Sequence, residues 1–186
     1  MKRIFDLLTS LALSMVLFLP LIIISIGVKI SSKGPILFWS DRIGCNNEIF
    51  SMPKFRTMKT NTPNTATHLL KKPSYFITPF GLLLRRFSID ELPQLFSIIK
   101  GDMSFVGPRP ALFNQFDLIK MRNSKKINIL MPGLTGWAQV NGRDGLSIEE
   151  KVYLDKEYME NQSFWLDLKI IWITLIKTIK NQDVSH

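Results

Sequence analysis

From Ile4 to Val28 the chain carries a single charge, Asp6, and this run limits the folds open to it. As one straight helix the run would be roughly 37 Å long, enough to cross a hydrocarbon core of ~30 Å. A secretory signal fits less well, because the apolar part is long and Lys29–Lys33 offers no clean small-residue cleavage site. Two features argue for a bend. Pro20 has no N–H, so the Val16 carbonyl loses its helical donor and the helix should kink. Lys2 and Arg3 precede the run while Lys29 and Lys33 follow it, and positive charge prefers the cytoplasmic side at both ends. The alternatives are a Pro-kinked span and a re-entrant hairpin. The hairpin requires that backbone groups freed at the bend find a partner inside the hydrocarbon.

Beyond the run, "PILFWSDRIGCNNEIFSMPKFRTM" (Pro35–Met58) places two β-favouring stretches around a turn signal at Gly44, Asn46 and Asn47, which predicts a β-hairpin. Lys59–Lys72 is polar and low in complexity, a loop pattern. Residues 111–130 are helix-compatible, and the glycine-rich Met131–Gly145 reads as loop. Ser147 and Glu150 form a capping-box pattern at the start of a further helix. In the last segment Phe164, Trp165, Leu168, Ile171, Trp172, Leu175, Ile176 and Ile179 recur at helical spacing, with Asp167, Lys169, Lys177 and Lys180 among them. Paired tryptophans with lysines suit an amphipathic helix at a membrane surface; the alternative is a buried core helix.

"RRFSIDELPQLFSIIKGDMSFVGPRP" (Arg85–Pro110) sets Asp90 and Glu91 side by side. Structurally, Ser88 and Glu91 could form a capping box and Asp90 could serve the same helix dipole. The surrounding arginines point elsewhere. Arg85 and Arg86 precede the pair, and Arg109 follows on a loop stiffened by Pro108 and Pro110. Guanidinium groups bind phosphate oxygens bidentately. A carboxylate beside a bound phosphate can hold Mg²⁺ or attack phosphorus, and fixed cations remove the repulsion between two anions. The overall balance agrees: 24 Lys and Arg against 15 Asp and Glu give +9, which suits anionic partners. Cys45 is the only cysteine and there are two histidines, so an internal disulfide is excluded and a zinc site is not expected.

With these residues assembled, the chain resembles the bacterial sugar transferases. More narrowly, it resembles the small monotopic polyprenyl-phosphate phosphoglycosyl transferases, which include the bacillosaminyl-phosphate transferases. The resemblance rests on "KRIFDLL", "KFRTM", "SIDELPQLFSIIKGDMSFVGPRP", "PGLTGWAQVNGR" and "SFWLDLKIIWITLIKT", which run from Lys2 to Thr178. It implies an α+β, mainly helical fold. The parts are an N-terminal re-entrant membrane hairpin (1–30), a small β-hairpin, and interfacial helices around a cytoplasmic catalytic core (31–186). It implies transfer of a sugar 1-phosphate from a UDP-sugar to polyprenyl phosphate, through a covalent enzyme intermediate and with release of UMP. The family's nucleophile falls on Asp90, its partner glutamate on Glu91, and its Mg²⁺ on this pair. Its phosphate-contacting arginines fall on Arg85 and Arg109, and "KFRTM" and "VNGR" add Arg56 and Arg143. Pro20 takes the helix-breaking position, although Leu19 stands where close relatives carry serine.

The implied setting is the cytoplasmic face of a bacterial inner membrane, in contact with membrane lipid and with downstream glycosyltransferases of glycan assembly. Nucleic acid is not an expected partner, since charge alone favours it. The rival reading is a non-catalytic membrane-surface module that binds nucleotide sugar or anionic lipid; it would need the basic residues but no carboxylate pair.

Overall fold

A computed structural model describes residues 1–60, 62, 73–142 and 145–180, so most of the polar stretch Lys59–Lys72, and Arg143, lie outside the described residues. The fold is mostly helical with a small sheet, in agreement with expectation. The apolar N-terminal run is two helices, α1 (Lys2–Val16) and α2 (Phe18–Ser31), bent by 64° at Leu17. The break lies where the Pro20 ring excludes the carbonyl of the residue four positions earlier. Pro20 itself falls in the first turn of α2, where backbone N–H groups have no helical partner anyway. Among the described residues no single helix is long and apolar enough to cross a membrane.

The expected β-hairpin is present. Strand β1 (Leu37–Ile43) pairs antiparallel with β2 (Ile49–Phe55), from Leu37 opposite Phe55 to Ile43 opposite Ile49. Asn46 and Asn47 turn the chain at φ 53° and 65°, a region that asparagine tolerates better than most residues. Next come the short α3 (Pro73–Phe76), then α4 (Pro79–Arg86), whose N-terminus is capped by the Thr78 hydroxyl. A 3₁₀ turn (Ile89–Gln94) carries Asp90 and Glu91 and runs into α5 (Leu95–Lys100). Strand β3 (Ser104–Val106) leads to the VGPRP loop, and β4 (Ala111–Leu112) adds to the free edge of β1. Helix α6 (Phe116–Ser124) accounts for part of the helix-compatible stretch; residues 127–129 form a 3₁₀ turn.

The described part of Met131–Gly145 is more ordered than its glycine content predicts. It holds β5 (Gly133–Thr135), parallel to β3, and α7 (Trp137–Asn141). The glycines here allow close approach: a Cβ on Gly133 would lie 2.1 Å from the Gly107 nitrogen. The VGPRP loop and the PGLTG stretch are therefore packed backbone against backbone. Helix α8 (Ile148–Glu160) begins with the predicted capping box, in which the Ser147 hydroxyl accepts from the Glu150 N–H and Glu150 returns to the Ser147 N–H. Helix α9 (Phe164–Ile179) closes the described chain.

The main core joins Phe50 and Met52 of β2 to Leu95 and Ile98 of α5, Phe105 and Val106 of β3, Val140, Tyr158 and Ile170. Helix α9 is not a core helix: it buries Asp167 and Ile170, while Trp165 and Trp172 are 78 % and 65 % exposed. Helices α1 and α2 invert the usual pattern as well. Asp6 and Ser10 are buried in α1, whereas Leu8, Phe18, Leu19, Ile23 and Ile26 are exposed. The polar residues at the start of α1 are bonded inward. Lys2 Nζ meets Asp167 Oδ2 at 2.5 Å, Arg3 donates to the carbonyls of Ile98 and Ile99 at the end of α5, and Asp6 Oδ1 accepts from the Phe105 N–H. Lys2 and Arg3 thus act as internal ties as well as flanking charges.

Candidate active site

Asp90 and Glu91 occupy a tight turn. Ser88, just before them, adopts a left-handed backbone (φ 53°) and makes no side-chain cap to the following turn. Pro93 sits within the turn, where its fixed φ is compatible with 3₁₀ geometry. The capping-box alternative therefore does not hold. Glu91 does not cap; its Oε1 accepts from Arg109 Nη2 at 2.7 Å and from Lys54 Nζ at 2.9 Å. Asp90 is 9 % exposed, and its carboxylate feels the charges of Glu91, Lys54, Arg85 and Arg109.

The two carboxylates differ sharply in proton affinity. Burial, together with the neighbouring Glu91 charge, raises Asp90 above the ordinary aspartate range. Burial would also raise Glu91, but the Arg109 and Lys54 charges and their hydrogen bonds hold it well below its ordinary value. Glu91 is a fixed anion inside a cationic shell, and Asp90 is the more basic oxygen donor. Lys54 is itself lowered by burial, which the Glu91 charge partly offsets.

Of the arginines named from sequence, the structure brings Arg85 and Arg109 to the pair. Arg85 Nε donates to the Thr57 hydroxyl at 2.8 Å, and its charge acts on Asp90. Arg56 is placed differently. It is 6 % exposed and donates through Nη2 to the carbonyl and hydroxyl of Ser32, just past α2, while its buried Nε and Nη1 have no hydrogen-bond partner. Sequence reasoning missed Lys54 and Arg42. The signal for Lys54 was in "KFRTM" itself, where the strand period of two puts Lys54 and Arg56 on the same face and does not rank them. Arg42 is pushed down to about 10, by burial first and then by the Arg109 charge.

The donor set available to a cation is two adjacent carboxylates with hard oxygen atoms. Among the described residues no group of three or more His, Cys, Asp and Glu side chains could hold a metal ion. A closed protein cage is thus absent there. Two carboxylates do fit Mg²⁺, which keeps several waters and takes substrate phosphates as further ligands. The site presents a buried carboxylate raised above its ordinary range, a second held well below its own, and a cationic wall suited to phosphate.

The sequence matches the family model described as "Bacterial sugar transferase" over residues 1–181. It is 38 % identical over 186 residues to an uncharacterized sugar transferase, EpsL, of Bacillus subtilis, covering all of this chain and 91 % of that protein. It is 39 % identical over 189 residues to an undecaprenyl-phosphate glucose phosphotransferase of Komagataeibacter xylinus, covering 96 % of this chain and 36 % of that protein. A UDP-N-acetylgalactosamine-undecaprenyl-phosphate N-acetylgalactosaminephosphotransferase of Aeromonas hydrophila is 36 % identical over 96 % of this chain and 43 % of its own length. The chain thus spans nearly all of the first relative and less than half of the other two.

Proposed function

The chain belongs to the bacterial sugar transferase family, and on that premise we propose that it transfers a sugar 1-phosphate from a UDP-sugar to polyprenyl phosphate, releasing UMP. The observation that carries this reading is the split carboxylate pair within its cationic wall. An environment that separates the proton affinities of two neighbouring carboxylates assigns them different roles.

Asp90 is the nucleophile. One of its oxygens attacks the sugar-bearing phosphorus, and the bond from that phosphorus to the bridging oxygen breaks. The bridging oxygen leaves with UMP. An oxygen of polyprenyl phosphate then attacks the same phosphorus, the bond to Asp90 breaks, and the carboxylate is restored as the polyprenyl diphosphosugar forms. Attack needs Asp90 ionised, and the Lys54, Arg85 and Arg109 charges favour that form against burial and the Glu91 charge. Glu91, kept ionised by Arg109 and Lys54, orients those cations and is an orienter rather than a proton acceptor, because polyprenyl phosphate is already anionic. Arg85 and Arg109 take phosphate oxygens as the negative charge shifts. Asp90 and Glu91 would hold Mg²⁺, which when bound neutralises diphosphate charge at the point of attack.

The site works at a membrane surface, on the cytoplasmic side where UDP-sugars are made. Both ends of the α1–α2 pair are tied to the same catalytic part: Lys2, Arg3 and Asp6 at one end, and Arg56 on Ser32 at the other. Arms of about 22 and 21 Å bent by 64° leave those ends about 37 Å apart and stand an apex about 12 Å from the line joining them, so a pair with both ends at one surface reaches about 12 Å into the hydrocarbon. This supports a re-entrant hairpin within one leaflet, with Trp165 and Trp172 of α9 at the interface. Residues 1–30 and 31–186 then form one functional unit.

The test is UMP release over a panel of UDP-sugars, with detergent-solubilised protein, undecaprenyl phosphate and Mg²⁺. Asp90→Asn should abolish release while unfolding at the parent temperature, and mass spectrometry should find a phosphosugar adduct on Asp90 of the parent. Binding of nucleotide sugar without UMP release from any member would replace this reading with the non-catalytic module.

A further inference from the structure

The VGPRP loop is short of its own hydrogen bonds. Pro108 and Pro110 have no N–H to give. Their carbonyls, and that of Arg109 between them, are instead taken one by one by donors from three separate elements. Gly133 N–H donates to the Pro108 carbonyl at 2.9 Å. Arg122 Nη1, from α6, donates to the Arg109 carbonyl at 2.8 Å. Arg42 Nη1, from β1, donates to the Pro110 carbonyl at 3.2 Å. Each arginine is braced in turn. Arg122 Nε and Nη2 both reach Asp155 Oδ2, at 3.0 and 2.7 Å, and Arg42 Nε reaches the Ser40 hydroxyl at 3.1 Å.

We infer that Arg42 and Arg122 are positioning residues for the transfer reaction: together they fix the Arg109–Pro110 backbone so that the Arg109 guanidinium is held against Glu91. Stability alone does not account for the arrangement. The Asp155 side chain is 2 % and the Arg122 side chain 12 % exposed, and a buried ion pair gains little over apolar residues of the same volume. What the pair supplies is a rigid fork with two jobs, a carboxylate on one side and a backbone carbonyl on the other. Lysine carries all its N–H donors on one nitrogen and lacks the fork that reaches both partners. Arg42 adds a second restraint one peptide further on. It works against the repulsion of Arg109, and the Glu91 charge offsets that repulsion. A guanidinium held this way needs little reorganisation when a phosphate arrives.

The inference rests on the reaction proposed above, so its test has one arm with the reaction and one without. In UMP release, Arg122→Lys and Arg42→Gln should each lower kcat/KM about tenfold, the scale of one charge-assisted hydrogen bond. In an Arg109→Ala background neither should lower it further, because residues acting through a common partner are not additive. Additive losses overturn the inference. The second arm is the crystal structure of Arg122→Lys, in which the Arg109 Nη2–Glu91 Oε1 contact should be lost. A contact preserved near its present 2.7 Å overturns the inference even if activity falls. A parent that releases no UMP refutes the reaction instead, and the crystal structure then decides the positioning role by itself.

Discussion

Removing one oxygen, by Tyr158→Phe, should loosen the attachment of α1 to α9 while leaving the proposed chemistry untouched. Tyr158 is 2 % exposed, and its hydroxyl donates to Asp167 Oδ1 at 2.7 Å. Burial, then the Asp167 carboxylate, push the phenol upward, so it stays protonated as a donor at any ordinary pH. A hydrogen bond to a charged group is worth about 1.5–3 kcal/mol. Asp167 keeps its ion pair with Lys2 at 2.5 Å, which puts the loss in the lower half of that range, about 2 kcal/mol. At ~2–4 °C per kcal/mol for a chain of this size, the melting temperature should fall by about 4–8 °C. Intrinsic tryptophan fluorescence during heating in detergent measures this directly. The same substitution in a Lys2→Met background should cost more, toward 3 kcal/mol, because Asp167 would then lose its last strong partner. A melting temperature within about 1 °C of the parent, or an equal loss in both backgrounds, would refute the network.

Three further outcomes are expected. Arg109→Lys should lose most UMP release although it keeps the charge, because lysine lacks the bidentate fork; near-parental rates would reduce Arg109 to background potential. A chelator should remove activity and Mg²⁺ should restore it, whereas full activity in chelator would mean that Lys54, Arg85 and Arg109 neutralise the diphosphate alone. A cysteine at Lys2, in a Cys45→Ser background, should resist a membrane-impermeant thiol reagent in intact cells as well as a cysteine at Lys33 does. Labelling of position 2 alone would mean that the helix pair spans.

What could be read from the sequence depended on whether the signal was local. The hairpin turn at Asn46 and Asn47, the Ser147–Glu150 cap and the bend imposed by Pro20 each follow from a few adjacent residues. Asp90 and Glu91 were named from the sequence because two carboxylates stood among arginines. Lys54 and Arg42 were not, because their importance comes from a fold that brings β1, β2 and the 3₁₀ turn together. Met131–Gly145 read as loop because glycine usually marks conformational freedom. Here Gly133 instead makes room for a neighbouring backbone, which no local pattern reveals. Asp6 was visible only as a lone charge in an apolar run; its partner, the Phe105 N–H, lies 99 positions away.

That separation governs the order in which the molecule can be made. Lys2 and Asp167 are 165 positions apart, and at the pace of translation the lysine waits on the order of 10–30 s before its carboxylate exists. The Arg3 and Asp6 contacts, to Ile98 and Phe105, close about midway. During the interval the first turn of α1 lacks the contacts that α5, β3 and α9 later supply. Helix α9 arrives last and works as a latch. Ribosomes stalled before Asp167 would therefore carry a chain whose α1 is not yet latched to α9, the stage at which quality control has most reason to act.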